Sequence, residues 1–424
     1  MESNGTSMIQ PLQGVRVIDM SHVIAGPLAS LYLAQLGAEV IKIESPQGGD
    51  VMRASRVPGD AATADTPAGF AALNAGKRSL ALDIRTPEGS TAIRALARTA
   101  DVFIENFRPG VVARHGLDYA AIRDVKPDIV YCSISGYGQR GEWAGRGAYD
   151  HVVQALTGMM MMSGDSPDAP PLKVGFPVID VAVGMLGALS ITAALHRRAL
   201  DPQAQYIDAS MVQASLMLMY PNASSFLTHR VEPQRVGNRG YTGSPTADTY
   251  RCADGWLATA ANTPAQFRKL TAVLGLEALC DDAEALDLDA FRAPGGGFVV
   301  ARDMLFLQRC FKDAFAQHSA ADMEVQLNAV GVPAARVRRL GEFLDEAEHD
   351  PGISLTPTCY QQGATSVRTP GLGFRLEQDA SGLPARRGAP KLGQDTHALL
   401  TDAGISPEVI ADLFERQHAV APRS

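Results

Sequence analysis

VRVIDMSHVIAGPLASLYLAQLGAEVIKIE, residues 15–44, decides the fold. Val15–Ser21 is a β-branched run and reads as a strand. Pro27–Leu36 follows as a helix, with proline in its first turn and Gly37 as its stop. Glu39–Glu44 returns as a strand. A strand, a helix and a second strand joined over this length make a βαβ unit and imply a parallel sheet. The cycle then repeats. Strands are expected at Ser79–Ile84, Asp101–Phe107 and Asp128–Ile134, with helices at Pro87–Ala100 and Tyr119–Val125. The fold class is therefore α/β, with a Rossmann-like large domain.

Beyond residue 140 the text changes. His151–Met162 and Val181–Arg198 read as helices that are apolar nearly all round, and so as interior. The apolar run Val181–Leu195 contains Ser190 and Thr192 and is too short for a membrane span. Thr249–Ala260 reads as a hairpin turning at Ala253-Asp254-Gly255. Helices follow at Ala265–Leu274, Arg302–His318 and Ala320–Val330, with a glycine loop at Gly295–Gly297. These predict a smaller α+β domain. The expected division is 1–225 for the first part of the large domain, 226–340 for the small domain, and 341–424 for a returning segment. That segment includes helices at Gly341–His349 and Pro407–Gln417.

The chain has 424 residues, enough for two or three domains. Lys and Arg number 38 against 46 Asp and Glu, a net charge of −8, which argues against a nucleic-acid partner. Hydrophobic residues at 46% and charged residues at 20% are an ordinary globular balance. Five scattered cysteines with no CxxC spacing predict neither disulfides nor a zinc site. The opening MESNGTSMIQ has no export-type apolar region. A cytoplasmic protein with no membrane partner and no metal is expected.

The first strand leads into His22-Val23-Ile24-Ala25-Gly26-Pro27, which lacks the GxGxxG of dinucleotide sites. P-loop, zincin and GxSxG patterns are also absent. Asp180 is the most informative residue. It stands before an apolar helix, after Val174-Gly175-Phe176-Pro177-Val178-Ile179. One reading makes it an N-cap. The other uses a carboxylate kept ionised by the helix terminus as a nucleophile toward an activated carbonyl.

Several segments together resemble the class III CoA-transferase family, which includes formyl-CoA transferases, carnitine CoA-transferases and α-methylacyl-CoA racemases. They are residues 11–53, LNAGKRSLALDIRTPEG (73–89), DVFIENFRPGVVARHGLDY (101–119), SISGYGQRG (133–141), YDHVVQALTGMMMMSG (149–164), GFPVIDVAVGMLGALSITAALHRR (175–198), 331–351 and 388–406. The family's catalytic aspartate sits in a PVxDxxxG context, which falls on Asp180. The resemblance implies covalent aspartyl intermediates, a homodimer of interlocked chains, and no permanently bound cofactor. The substrates it implies are an acyl-CoA, with succinyl-CoA the expected donor, and a carboxylic acid acceptor.

It also implies CoA contacts at Asn106, Phe107 and Arg114, with Lys77 and Arg78 nearby, His22 at the end of the first strand, and Tyr137. Ile24 replaces the glutamine of formyl-CoA transferases, which argues against formate or oxalate chemistry. Ile24 and Tyr149 are the expected acyl-pocket residues. Met159–Met162 reads as core packing or as an adaptable acyl wall. The glycine run of formyl-CoA transferases is replaced by Gly237-Asn238-Arg239-Gly240-Tyr241-Thr242-Gly243-Ser244.

The alternative within the family is an acyl-CoA racemase, which needs two bases at the α-carbon. There Tyr149 takes the position of a histidine. His151, two residues later on the helix, falls on the opposite face and is a poor substitute. A CoA-binding protein without catalysis and a thioesterase are the remaining alternatives.

Overall fold

Alternating strands and helices along the first 210 residues stack into a parallel sheet in the computed structural model. It describes residues 10–422 apart from 57, 59, 61–65, 167, 241–242, 296, 351, 354, 356, 364 and 375–385. The strands are β1 Arg16–Asp19, β2 Glu39–Glu44, β3 Arg78–Leu82, β4 Val102–Glu105, β5 Val130–Ser135, β6 Gln205–Ser210, β7 Asp248–Arg251, β8 Trp256–Thr259, β9 Ala334–Arg336, β10 Thr358–Gln362, β11 Thr365–Thr369, β12 Arg386–Arg387 and β13 Ala419–Val420. The helices of the first unit are α1 Ala25–Gln35, α2 Ala68–Asn74, α3 Pro87–Ala97, α4 Tyr119–Val125, α5 Asp150–Leu156, α6 Val178–Leu200, α7 Met211–Leu218 and α8 Tyr220–His229. They continue as α9 Pro264–Leu274, α10 Leu288–Arg292, α11 Met304–Phe315, α12 Ala320–Ala329, α13 Leu340–His349, α14 Thr396–Asp402 and α15 Pro407–Glu415.

The main sheet has the order β13-β3-β2-β1-β4-β5-β6. Its first six strands in the chain are parallel, and β13 joins β3 antiparallel. Two apolar clusters cover its faces. One gathers Ile18, Ile41, Leu80 and Phe103 with Leu399, Leu400, Ile410 and Leu413. The other gathers Val17, Val40, Ile104 and Val130 with Leu33, Ile179, Val183 and Ile191. Alternate residues of β1 and β2 therefore serve opposite faces, as the two-residue period of a strand requires. Gly37, at φ +107°, ends α1 in a conformation that side chains disfavour. Thr86 caps α3 by accepting from the Gly89 N–H at 3.0 Å.

The chain divides into two units. The first holds residues 1–160, 173–232 and 356–424, and the second holds 161–172 and 233–355. The small unit thus starts later than the expected 226 and ends later than 340. It takes in α13, which was expected in the returning segment, and residues 161–172. Its sheet is the antiparallel β7-β8-β9 set, and its core is Tyr250, Leu257, Phe267, Phe311 and Phe315. The expected hairpin is β7–β8. In the 295–297 loop, Gly296 lies outside the described residues, as do Tyr241 and Thr242 in the 237–244 stretch.

Two expectations about the apolar helices change. Residues 151–162 are not one helix: α5 stops at Leu156, and a short turn follows at Met159–Met161. Helix α6 is longer than its apolar run, at 23 residues. Length and composition alone would let it cross a membrane, yet most of its residues are not buried. One side of α6 packs on α1 and the sheet, but Met185 and Leu189 are 48% and 66% exposed. The helix is not interior all round.

Candidate active site

Strand β1 ends at Asp19, where ligands meet open α/β sheets at the carboxyl ends of strands. The loop that follows is held at three successive residues. Ser21 N–H donates to Asp19 Oδ1 at 2.9 Å. His22 N–H donates to Asn106 Oδ1 at 2.9 Å, and Asn106 Nδ2 donates back to the His22 carbonyl at 2.8 Å. Val23 N–H donates to Asp50. A side chain at Gly26 would overlap Ser21, so only glycine lets the loop fold back on itself. His22 is half-buried, and its ring lies 5.2 Å from that of Phe107. Burial lowers its pKa, with Asp50 opposing, which favours the neutral imidazole. The structure thus brings together three of the residues expected at the CoA site: His22, Asn106 and Phe107.

Asp180 lies in the third position of α6, whose N-cap is Pro177. The N-cap reading is therefore corrected. The oxygen that caps this helix comes from Asp150, whose Oδ2 accepts from Ile179 N–H at 2.7 Å and Asp180 N–H at 3.1 Å. The Asp180 carboxyl is left for other work. Burial, and then the neighbouring Asp150 charge, raise its pKa from 3.8 to about 6. The expected stabilisation of the charged form by the helix terminus is outweighed. Glycines aim the helix. A Cβ on Gly184 would lie 2.7 Å from the Ala25 carbonyl oxygen, and one on Gly187 would lie 3.3 Å from Ala29 Cβ. Asp180 stands one turn before Gly184 on the same face of α6, the face that meets Ala25 and Leu28 of α1.

Around Phe107 a hollow of about 290 Å³ opens at the carboxyl ends of β1 to β4. Met20, Ile43, Leu82 and Phe107 form apolar walls, and Arg85 and His115 stand among its polar groups. Arg114 is exposed on the turn Val112–His115 beside it. Tyr137 follows β5 and donates to the Gly147 carbonyl at 3.4 Å, with Trp143 edge-on at 6.1 Å.

Lys77 and Arg78 do not join this group. Lys77 is buried and donates to Asp19 Oδ2 at 3.1 Å, the Pro27 carbonyl at 3.0 Å and Asn74 Oδ1 at 2.9 Å. All three ammonium protons are taken, and Lys77 and Lys42 hold the Asp19 carboxyl below its usual range against burial. Arg78 begins β3, at the amino ends of the strands and so opposite the hollow, where it pairs with Glu39 at 2.7 Å and Asp395 at 3.5 Å.

Ile24 is half-buried at the N-cap of α1, a helix whose start has no side-chain cap. Tyr149 is 72% exposed, just before α5. Its ring stacks on His151 at 6.4 Å and 13°. The expectation that these two side chains face opposite ways is wrong, because Tyr149 is the extended N-cap residue and does not share the helical rotation. Met159 is buried and Met161 half exposed, so the methionine run is split between core and surface. The residue that the sequence reading missed is Asp150. Glu105, beside Asn106, is also a buried carboxyl. Burial raises its pKa to about 7, and its oxygen accepts from Phe107 N–H at 2.9 Å. Among the described residues no group of three His, Cys, Asp or Glu could hold a metal ion.

The family model described as CoA-transferase family III matches residues 12–396. A succinate–glutarate CoA-transferase from Agrobacterium fabrum is 40% identical over 276 residues, which cover 64% of this chain and 68% of that one. A succinyl-CoA:glutarate CoA-transferase from Mus musculus is 30% identical over 396 residues, covering 93% and 86%. Among solved structures, a CAIB/BAIF family protein from Brucella suis superposes with a TM-score of 0.75 at 29% identity, over 93% of this chain and 100% of that one.

Proposed function

The chain belongs to CoA-transferase family III, and from that premise we propose that it moves CoA from succinyl-CoA to a dicarboxylic acid through covalent intermediates on Asp180. The observation that carries this reading is the carboxyl of Asp180, free of capping duty and raised to about 6. At pH 7 such a group is still roughly 90% ionised. It is also a stronger base, and so a better nucleophile, than an ordinary aspartate.

An Asp180 oxygen attacks the thioester carbonyl, the C–S bond breaks, and CoA leaves as a thiolate from a mixed anhydride. The thiolate attacks the aspartyl carbonyl, which releases succinate and leaves an aspartyl-CoA thioester. The acceptor carboxylate displaces CoA and forms a second anhydride. CoA then attacks the acceptor acyl carbon and frees Asp180. Each step exchanges one carboxylate or thiolate for another, so no net proton is required. The burial that raises Asp180 also limits water, which would otherwise hydrolyse the anhydrides.

Succinyl-CoA as donor and a five-carbon dicarboxylate such as glutarate as acceptor are supported by the names of the two relatives. The CoA nucleotide is assigned to the hollow at Phe107, with His22 and Asn106 at its inner edge and Arg114 and Tyr137 outside. Ile24 and Tyr149 would border the acyl group. A homodimer is supported by the apolar surface of the first unit: Met185 and Leu189 on α6, Met217 on α7, and Tyr220 and Leu227 on α8, all about half or more exposed. Five unpaired cysteines support a cytoplasmic location.

The test is direct. The protein incubated with succinyl-CoA should carry an adduct on residue 180, trapped by hydroxylamine or borohydride and read by peptide mass. Asp180→Asn should show neither adduct nor transfer. Near-normal transfer by that variant, in a preparation free of deamidation, would overturn the covalent mechanism. A single-chain mass in light scattering at micromolar concentration would overturn the dimer.

A further inference from the structure

Val23 has φ +69°. A β-branched side chain rarely enters the left-handed region, because its branches collide with its own backbone there. Such a residue persists only where its surroundings hold it. The agent here is Asp50, in the loop after β2. Both of its carboxylate oxygens lie 3.2 Å from the Val23 N–H. Asp50 is itself fixed. It is 5% exposed, its Oδ2 pairs with Lys42 Nζ at 3.0 Å, and its Oδ1 accepts from Met52 N–H at 3.0 Å. Lys42 also donates to the Ser21 carbonyl at 2.8 Å, so one buried ion pair grips the turn on both sides of His22.

We infer that Asp50 is a positioning residue, which holds Val23 in its strained turn and so presents His22 and Ile24 to Asp180. This rests on the reading of Asp180 as the nucleophile. If Val23 relaxed to negative φ, the peptide between residues 22 and 23 would rotate. The His22 carbonyl would lose its bond from Asn106 Nδ2, and the start of α1 would shift relative to Gly184.

In Asp50→Asn the carboxamide nitrogen lies against the Val23 N–H in either orientation, and against the Met52 N–H or the Lys42 ammonium besides, donor against donor. We expect kcat for transfer to fall by roughly tenfold to a hundredfold, the scale of a misplaced catalytic group, with KM changing less. Adding Val23→Gly should rescue the variant, because glycine keeps the left-handed turn without being held. In the double variant kcat should recover at least half of the lost range on a logarithmic scale. Failure of Asp50→Asn to slow transfer, or failure of glycine to rescue it, would overturn the proposal. The second outcome would make Asp50 only the partner of a buried lysine.

Val23→Gly alone covers the case in which Asp50→Asn does not fold. Relief of strain outweighs the added freedom of glycine, so Tm should rise by about 1–3 °C. A fall in Tm would show that Val23 is not held under strain. The wild-type adduct at residue 180 is measured separately. Its absence would refute the nucleophile, whereas the kinetics and melting of the Asp50 and Val23 variants judge the positioning role.

Discussion

Asp180→Asn should make the folded protein more stable at neutral pH while it abolishes transfer. In the folded state the Asp180 pKa is raised from 3.8 to about 6, with burial the larger cause and Asp150 the second. Each unit corresponds to about 1.4 kcal/mol, so ionising this group in place costs on the order of 3 kcal/mol. The native state holds the proton more tightly than the unfolded chain does. Its contribution to stability is therefore complete below pH 3.8, declines as pH rises, and is gone above about 6. Asparagine carries no charge and escapes this loss. At pH 7.5 the variant should gain up to about 3 kcal/mol, a Tm increase of several degrees. At pH 4 the gain should nearly vanish. Melting curves of both proteins from pH 4 to 8 provide the measurement. A gain that does not vary with pH, or a loss at pH 7.5, would refute the assignment of a raised, unpaired carboxyl at residue 180.

Asp150→Asn should move the acid limb of the kcat/KM profile below about 6 yet leave it above 3.8, since burial persists; a limb that stays put would exclude Asp150 as a source of the shift. Lys77→Met should destabilise the fold by about 3–5 kcal/mol, because it strands the buried Asp19. Arg78→Ala, at the amino end of β3, should leave the Kd for CoA in calorimetry unchanged. Gly184→Leu should separate α6 from α1, since even a Cβ meets the Ala25 carbonyl at 2.7 Å; transfer should fall at least tenfold with secondary structure by circular dichroism retained.

The parallel sheet was legible because periodicity and turn residues are local. Glu39–Glu44 and Tyr119–Val125 are the elements read from the sequence, to the residue. β6 was missed. Its QYIDAS alternates only loosely, and its outer residues remain exposed at the edge of the sheet. Asp180 stood out because helix-start chemistry is compact, but its capping partner is 30 positions upstream, beyond any local pattern. Lys77 misled for a different reason. A lysine at the start of a strand usually reaches solvent, and only the fold reveals that Asp19, Asn74 and the Pro27 carbonyl surround it. Val23 carries no sequence signal at all, because nothing about valine announces a left-handed turn.

The pairing of β13 with β3 has a consequence for synthesis of the chain. Leu82 meets Ala419, and the Asp83 N–H meets the His418 carbonyl at 2.7 Å. About 340 residues separate these partners, which a ribosome moving at 5–20 residues per second makes in roughly 20–70 s. During that interval β3 is an open strand edge, a template for pairing with another nascent chain. The small unit, complete by residue 355, can fold while the sheet still waits. Ile410 and Leu413 then arrive with β13 to cover the same face. A chain stalled before residue 396 would carry the Asp180 helix intact and still present that edge, so its fate would depend on chaperones that mask exposed strands.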